Sequence, residues 1–312
     1  MNKEFLDFEK DLSTIYKDIH VLTKAKKSDN KSIDKINLLQ KKFKERQTKI
    51  YENLSSWQTL QVARHPDRPH GVDFVENIFT DIDELHGDRQ YKDCSAIVGG
   101  IARLNDQPIM YFAQEKGREL NDKLSRNWGM MNPEGFRKAH RLMHMAEKFK
   151  LPIISFIDTP GAYPGIEAES NNQSAAIAEN LFKMSALNVP VIVIITGEGC
   201  SGGALGMGIG DKVLILQYAT FSVISPEGCA SILWRDAAKA PIASEEMWMT
   251  APKLKELNVI DEVIKEPTGG AHDNWEKTFS ITKSSIVKHL KQLTSLPIQK
   301  VLDDRYKKLM LD

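Results

Sequence analysis

The run Gly197-Glu198-Gly199-Cys200-Ser201-Gly202-Gly203-Ala204-Leu205 has the residue types of a site that works through bare backbone. Gly202 and Gly203 carry no side chain to cover their N–H groups. A β-branched run, Val189 to Ile195, leads in as a buried strand, and small residues suited to a tightly packed helix come after it. A strand-to-helix turn of this kind aims N–H groups at developing negative charge. Three chemistries fit the spacing. G-x-S-x-G makes Ser201 the nucleophile of a hydrolase. G-x-G-x-x-G cradles a dinucleotide pyrophosphate. The third is an oxyanion hole on Gly202 and Gly203 with no nucleophile. A fourth reading is a glycine turn that only lets a helix pack on a sheet.

The dinucleotide reading fails downstream of the glycines. Asp211 opens a new strand-like run, Lys212 to Leu216, leaving room for only a very short helix. No acidic residue stands about 20 positions past the glycines to hold a ribose. The hydrolase reading needs a carboxylate and then a His downstream, and Glu227, Asp261 and His272 occur in that order.

Other stretches offer chemistry too. The loop from Glu115 to Gly129 carries Lys116, Arg118, Lys123 and Arg126, which suit a phosphate-bearing ligand or an ordinary solvated loop. Asp158-Thr159-Pro160-Gly161-Ala162-Tyr163-Pro164-Gly165 is a rigid loop after a strand, where α/β ligand sites gather. His140 and His144 are four apart, but no Glu follows His140, which argues against a zinc site. His65, His70 and His86 read as surface or hydrogen-bonded residues. Cys94, Cys200 and Cys229 are far apart, which speaks against a disulfide framework or zinc ribbon and suits a reducing cytoplasm.

These residues need elements to hold them. In this chain of 312 residues, Lys plus Arg and Asp plus Glu both number 42, so no global field points to nucleic acid or membrane. No apolar run reaches the ~18 residues of a membrane span, and the N-terminus lacks a secretory signal. Phe5, Phe8, Leu12, Ile15, Ile19 and Leu22, then Ile33, Ile36, Gln40, Phe43, Gln47, Ile50, Leu54 and Trp57, form an a/d seam on two helices broken at 26–31. Residues 1–60 are therefore expected to form an antiparallel helical hairpin for scaffolding or subunit docking. Two prolines, Pro66 and Pro69, end it. Ser95–Leu104 and Pro108–Ala113 read as a β-hairpin about Asn105-Asp106-Gln107. A helix from Pro133 to Lys150, a strand at 151–157, a helix from Gln173 to Leu187 and the strands above repeat as ββα units. A domain over 61–295 and a helical tail over 296–312 complete the division.

The loop Asp158–Gly165, the run Gly197–Leu205, Ser225-Pro226-Glu227-Gly228-Cys229-Ala230-Ser231-Ile232-Leu233-Trp234, Gly269-Gly270-Ala271-His272, Glu84-Leu85-His86-Gly87-Asp88-Arg89 and Ala251-Pro252-Lys253-Leu254-Lys255-Glu256-Leu257 together resemble the carboxyltransferase α subunits of bacterial multi-subunit acetyl-CoA carboxylase. The likeness runs the length of the chain, in order. It implies an α/β fold, a ClpP/crotonase-like ββα superhelix, and an α2β2 assembly. It also implies transfer of a carboxyl group from carboxybiotin, on the biotin carboxyl carrier protein, to acetyl-CoA, giving malonyl-CoA. On this resemblance zinc belongs to the β subunit only and ATP to a separate biotin carboxylase subunit. The chain itself needs no metal, membrane or nucleic acid and works in the cytoplasm.

The resemblance also assigns roles. Negative charge builds on the ureido oxygen of biotin and then on the thioester oxygen. The first falls to the backbone N–H groups of Gly202 and Gly203, each such donor being worth about 3–4 kcal/mol; the second falls mostly to the β subunit. Gly161, Ala162 and Tyr163 become the wall of the biotin pocket, with Ser201 a small turn residue beside it. Lys116, Arg118 and Arg126 are candidate CoA phosphate contacts. The chain departs from the family pattern at Cys200, where Gly is common, and at Gly206, where Ala is usual. It lacks an Arg-Gly before Gln173, and carries Glu115 where a neutral Gln is frequent.

Overall fold

The computed structural model describes residues 3–24 and 30–310. Part of the polar break expected at 26–31 lies outside the described residues. Helix α1 (Lys10–Lys24) and α2 (Asn30–Tyr51) run antiparallel: Tyr16 faces Phe43, Asp11 pairs with Arg46 at 2.7 Å, and the Tyr51 hydroxyl donates to Glu9 at 3.0 Å. The seam holds at Leu12, Ile15 and Gln47, all buried, but Ile33 and Gln40 are exposed. Gln40, a polar member of the seam, gains nothing from burial. The second helix also stops short of Trp57. Ser55 caps a new helix, α3 (Ser56–Ala63), accepting from the Gln58 N–H at 3.1 Å while Gln58 Oε1 accepts from the Ser55 N–H at 2.9 Å. Tyr51 packs edge-on against Tyr218, at 5.3 Å, fixing the hairpin to the body.

After α4 (Gly71–Ile78) come β1 (Thr80–Glu84), β2 (Ile97–Leu104) and β3 (Gln107–Gln114), paired antiparallel in that order. The two-residue turn Asn105-Asp106 has Asn105 at φ 54, which Asn tolerates. From β3 the sheet turns parallel. Helices α5 (Leu120–Ser125) and α6 (Pro133–Phe149) lead to β4 (Ile153–Thr159), and α7 (Ile166–Ser170) and α8 (Gln173–Ser185) lead to β5 (Val191–Cys200). Helix α9 (Ser201–Leu205) leads to β6 (Lys212–Leu216), and β7 (Thr220–Ser222) pairs with the end of β5. Helices α10 (Pro226–Trp234), α11 (Ala240–Glu246) and α12 (Ala251–Glu256) precede β8 (Glu262–Ile264), which pairs with β6; α13 (Trp275–Thr294) and α14 (Ile298–Met310) close the described chain.

Successive parallel strands therefore step across the sheet in one direction, and helical crossovers wind it into a superhelix. Strands β4 and β5 are buried on both faces, as their continuous apolar runs require. On one face Phe74 of α4 stacks on Phe156 and meets Phe279 of α13, at 5.5 and 5.0 Å. On the other, the Ser155 hydroxyl donates to the Met207 carbonyl and Leu142 of α6 packs over Gly99.

Two buried ion pairs lock loops that cross strand ends. Arg68 grips Glu266 at 2.9 and 2.7 Å and donates to the Thr196 carbonyl. Arg305 of α14 grips Asp211 at 2.8 Å through two nitrogens and donates to the carbonyls of Met184, Leu187 and Val189. Asp211 in turn accepts from the Val191 N–H at 2.7 Å, at the start of β5.

Candidate active site

Strand β5 does not turn at its first glycines; it stays extended through Cys200. Pairing with β7 at Glu198, Gly199 and Cys200 carries it on. The turn falls at Ser201, a non-glycine at φ 54, and α9 starts there. Such a residue costs of order 1–3 kcal/mol and persists where its surroundings over-determine it. Here they do. A Cβ on Gly203 would lie 2.2 Å from the Gly161 carbonyl carbon and 2.6 Å from the Ala162 nitrogen, so two backbones meet directly. Gln114 fastens the junction from below: its Nε2 donates to the Gly203 carbonyl at 2.8 Å and its Oε1 accepts from the Asp158 N–H at 3.1 Å.

The loop after β4 is fixed as firmly. The Thr159 hydroxyl lies 2.7 Å from the Gly129 carbonyl and 2.8 Å from the Gly161 carbonyl. Ala162 bridges to Met131, and the Tyr163 N–H donates to the Met131 carbonyl at 3.0 Å. Gln173 spans both sides, donating to the carbonyls of Met131 and Tyr163 at 2.8 and 3.0 Å. Gln173 thus reaches this loop without the Arg-Gly expected before it; residues 166–170 instead form α7. A Cβ on Gly161 would meet nothing within 4 Å, so the glycine leaves open space beside the junction.

A cleft of about 380 Å³ lies next to it, lined by Arg64, His70, Lys116, Trp128, Asp158, Pro160 and Glu198 among others. Asp158 is buried. It accepts from the Glu198 N–H at 2.9 Å and pairs with Lys116. Arg64 bridges Glu198, at 2.8 and 2.7 Å, and Glu227, at 2.6 Å. His70 Nδ1 lies 2.7 Å from Glu115 Oε1.

Gly203 meets Gly161 and Ala162 backbone to backbone; Ser201 and Gly202 stand beside Gly203 at the start of α9, and Tyr163 follows Ala162 in the loop. The three basic candidates separate. Lys116 and Arg118 line the cleft, Lys116 paired with Asp158 and Arg118 with Asp73 and over the Trp275 ring. Arg126 pairs with Asp122 at 2.6 Å and donates to the Ser95 carbonyl, bracing its own loop. The hydrolase constellation does not assemble. Glu227 is held by Arg64, Asp261 accepts from the Val213 N–H near the opposite end of the sheet, and His272 is stacked on His65 at 3.7 Å. All three histidines read as surface or hydrogen-bonded are hydrogen-bonded: His65 to the Asp67 N–H and His70 to Glu115, both buried, and His86, exposed, to Asp93. Cys200 is buried too, its thiol pushed up to about 11 by burial and then by Glu198. At Gly206 the ring of Phe136 fills the room an alanine would need, 2.6 Å from an added Cβ.

Gln114, Arg64 and the His70–Glu115 pair escaped sequence reading. Each partner lies 44 or more residues away, so no local pattern marks them.

Residues 5–311 match the family described as acetyl co-enzyme A carboxylase carboxyltransferase-like. The chain belongs to this family. Within it, the chain is 52% identical over 312 residues to the acetyl-coenzyme A carboxylase carboxyl transferase subunit alpha of Wigglesworthia glossinidia brevipalpis, covering 99% of this chain and 98% of that protein. It is 53% identical over 310 residues to the protein of that name from Haemophilus influenzae (strain PittEE), with the same coverage. Among solved structures, transcarboxylase 12S aligns with a TM-score of 0.60 at 20% identity, covering 74% of this chain and 42% of that chain. The β subunit of geranyl-CoA carboxylase from P. aeruginosa aligns at 0.56 and 13% identity, covering 81% and 45%. This carboxyltransferase-family chain thus spans under half of either structural neighbour. At those identities the likeness is one of fold, and the fold is the crotonase-like α/β superhelix expected from the sequence.

Proposed function

We propose that this chain is the carboxyltransferase α subunit of a multi-subunit acetyl-CoA carboxylase, and that with a β subunit it transfers a carboxyl group from biotin to acetyl-CoA, giving malonyl-CoA. Near-complete matches at 52–53% identity to proteins of that name support the reading. The observation that carries it at the site is the contact of Gly203 with Gly161 and Ala162 just past the end of β5, a backbone-to-backbone approach that no side chain would allow. The open space beside Gly161 suits a flat heterocycle such as biotin. When bound, carboxybiotin supplies the activated carboxyl group.

The chain's own residues do the rest by position. The N–H groups of Gly202 and Gly203 face the negative charge on the ureido oxygen, each contributing about 3–4 kcal/mol. Gln114 holds the Gly203 peptide so that no reorganisation is needed when charge appears. Gly161, Ala162 and Tyr163 wall the ring, with the Ser201 turn opposite. Lys116 and Arg118 give the cleft a cationic edge toward a CoA phosphate, whereas Arg126 stiffens the loop that carries them. The biotin carboxyl carrier protein delivers the biotin, a biotin carboxylase subunit uses the ATP, and zinc resides on the β subunit. Among the described residues no helix is long and apolar enough to cross a membrane; we place the complex in the cytoplasm as an α2β2 heterotetramer.

The test is the reverse reaction: malonyl-CoA plus biocytin, followed as acetyl-CoA, with this chain alone, the β subunit alone, and both. Activity confined to the pair supports a site shared between chains. Activity of this chain alone, or none from a well-formed pair, overturns the reading.

A further inference from the structure

A second cavity, of about 270 Å³, lies where the N-terminus of α6 meets α7. Its wall includes Asn132, next to the Met131 carbonyl that ties Tyr163. Its lining also holds a carboxylate that is short of donors. Glu134, in the first turn of α6, is 2% exposed, and among the described residues no group makes a hydrogen bond to its buried Oε1. The ion pair at that oxygen comes from Lys92, whose Nζ stands 3.4 Å away and whose side chain is 51% exposed. A charge-assisted hydrogen bond closes to about 2.7–2.9 Å. A buried acceptor left without one costs free energy, even where a helix N-terminus favours its charge.

The surroundings indicate what would complete it. Glu167 of α7 is the second carboxylate of the lining and Lys92 its cation, so the lining carries one net negative charge and its complement is a monocation. A single water needs only about 10–15 Å³ of such space, so there is room for a much larger group. Tyr91 and Ile166, both exposed, offer apolar surface to the stem of a long cation. Asn171 stands where the family usually has Arg, and its side chain is turned away from Glu134: Nδ2 donates to the Glu167 carbonyl at 2.8 Å. The lining thus presents a carboxylate that a guanidinium would match and supplies no guanidinium of its own.

We propose that this cavity is a binding site for an organic monocation of the guanidinium class. The planar fork donates to the Glu134 carboxylate, Lys92 moves out toward solvent, and the stem lies along Tyr91 and Ile166. Such a group has two possible sources, a free small molecule that carries it or an arginine side chain of a partner chain. This chemistry is independent of carboxyl transfer and uses no residue of the glycine junction.

The experiment titrates the full chain with methylguanidinium and with n-propylguanidinium by calorimetry, well below denaturing concentrations. Potassium and tetramethylammonium at the same ionic strength are the controls. The guanidinium ligands bind saturably, the propyl form more tightly; the controls, which have no N–H to donate, do not. Glu134→Gln weakens that binding about 10-fold or more, as the loss of hydrogen bonds to a charged group requires. Lys92→Met tightens it by removing the competing ammonium. Asn171→Arg abolishes it, because the chain then fills the cavity itself, and raises the melting temperature. Thermal melting establishes that each variant is folded; if Glu134→Gln is not, Asn171→Arg and Lys92→Met carry the test. The titration is repeated with the β partner bound. Binding that persists in the complex gives a free small molecule as the source. Binding that the partner blocks, together with weaker assembly of the Glu134→Gln chain, gives an arginine of that partner. No saturable binding, binding matched by potassium or tetramethylammonium, or undiminished binding in a folded Glu134→Gln chain overturns the site.

Discussion

Gly203→Ala is the sharpest perturbation of the glycine junction. The added Cβ would sit 2.2 Å from the Gly161 carbonyl carbon, 2.5 Å from its oxygen and 2.6 Å from the Ala162 nitrogen. Carbon atoms meet comfortably at about 3.5 Å, so one backbone must retreat by roughly 1 Å. Neither side yields easily. The Gly161 loop is tied by Thr159, Met131 and Gln173, and the Gly203 carbonyl by Gln114. Overpacking of this kind costs about 1–3 kcal/mol of stability, which a domain of this size survives. Function is more sensitive, because a ~1 Å displacement of a positioned group costs about 10²-fold in rate and loss of one oxyanion donor about 10²–10³. The expected outcome is a fall in kcat of about 10²–10³ for acetyl-CoA formation from malonyl-CoA and biocytin, with the β partner present. The KM for malonyl-CoA changes less than about threefold by the same logic, since the acyl-CoA is held elsewhere. Thermal melting and association with the β partner separate chemistry from folding. A folded, assembled Gly203→Ala complex with the parent kcat would refute the oxyanion assignment.

Three further outcomes concern buried groups. Arg305→Ala leaves Asp211 charged and unpaired in the interior and should cost about 3–5 kcal/mol in urea denaturation. His272 is pushed down to about 2 by burial, then by His65, Arg68 and Lys3, so it is neutral when folded and binds its proton only when unfolded. Stability present above pH ~6.5 is therefore lost as pH falls toward 2, by about 2 kcal/mol at pH 5; His272→Phe should flatten that part of the urea-midpoint profile. Iodoacetamide at pH ~8 should modify Cys229, which is partly exposed, and spare Cys94 and Cys200, which are buried and whose thiols burial pushes up; peptide mass mapping reads the result.

What the sequence made legible was local. The runs at Ile153 and Val191 announced strands buried on both faces because β-branched residues recur, with Ser155 the one polar residue between Ile153 and Ile157 and none between Val191 and Ile195. The glycine turn after the second run announced backbone chemistry. The early end of α2 was harder, since the Ser55–Gln58 cap competes with a seam that continues to Trp57. Helix α7 is too short to show a period. Long-range pairing could not be read at all. Lys116, Arg118 and Arg126 look alike as charges in one loop, yet Asp158, Asp73 and Asp122 divide them between cleft and scaffold. Glu227, Asp261 and His272 stood in the right order for a triad, and the sheet carried them apart.

Arg305 has a consequence for how the chain is made. It is synthesised 94 residues after Asp211, the carboxylate it neutralises. At ~5–20 residues per second the ribosome needs about 5–20 s to cover that distance, during which Asp211 has no guanidinium beside it. The start of β5, whose Val191 N–H rests on Asp211, is held in that interval by a carboxylate with no charge partner from α14. The last helix of the described chain thus supplies the charge that completes the start of β5. A prematurely terminated chain lacking α14 has no guanidinium for Asp211, and the carboxylate at the start of the parallel sheet stays uncompensated.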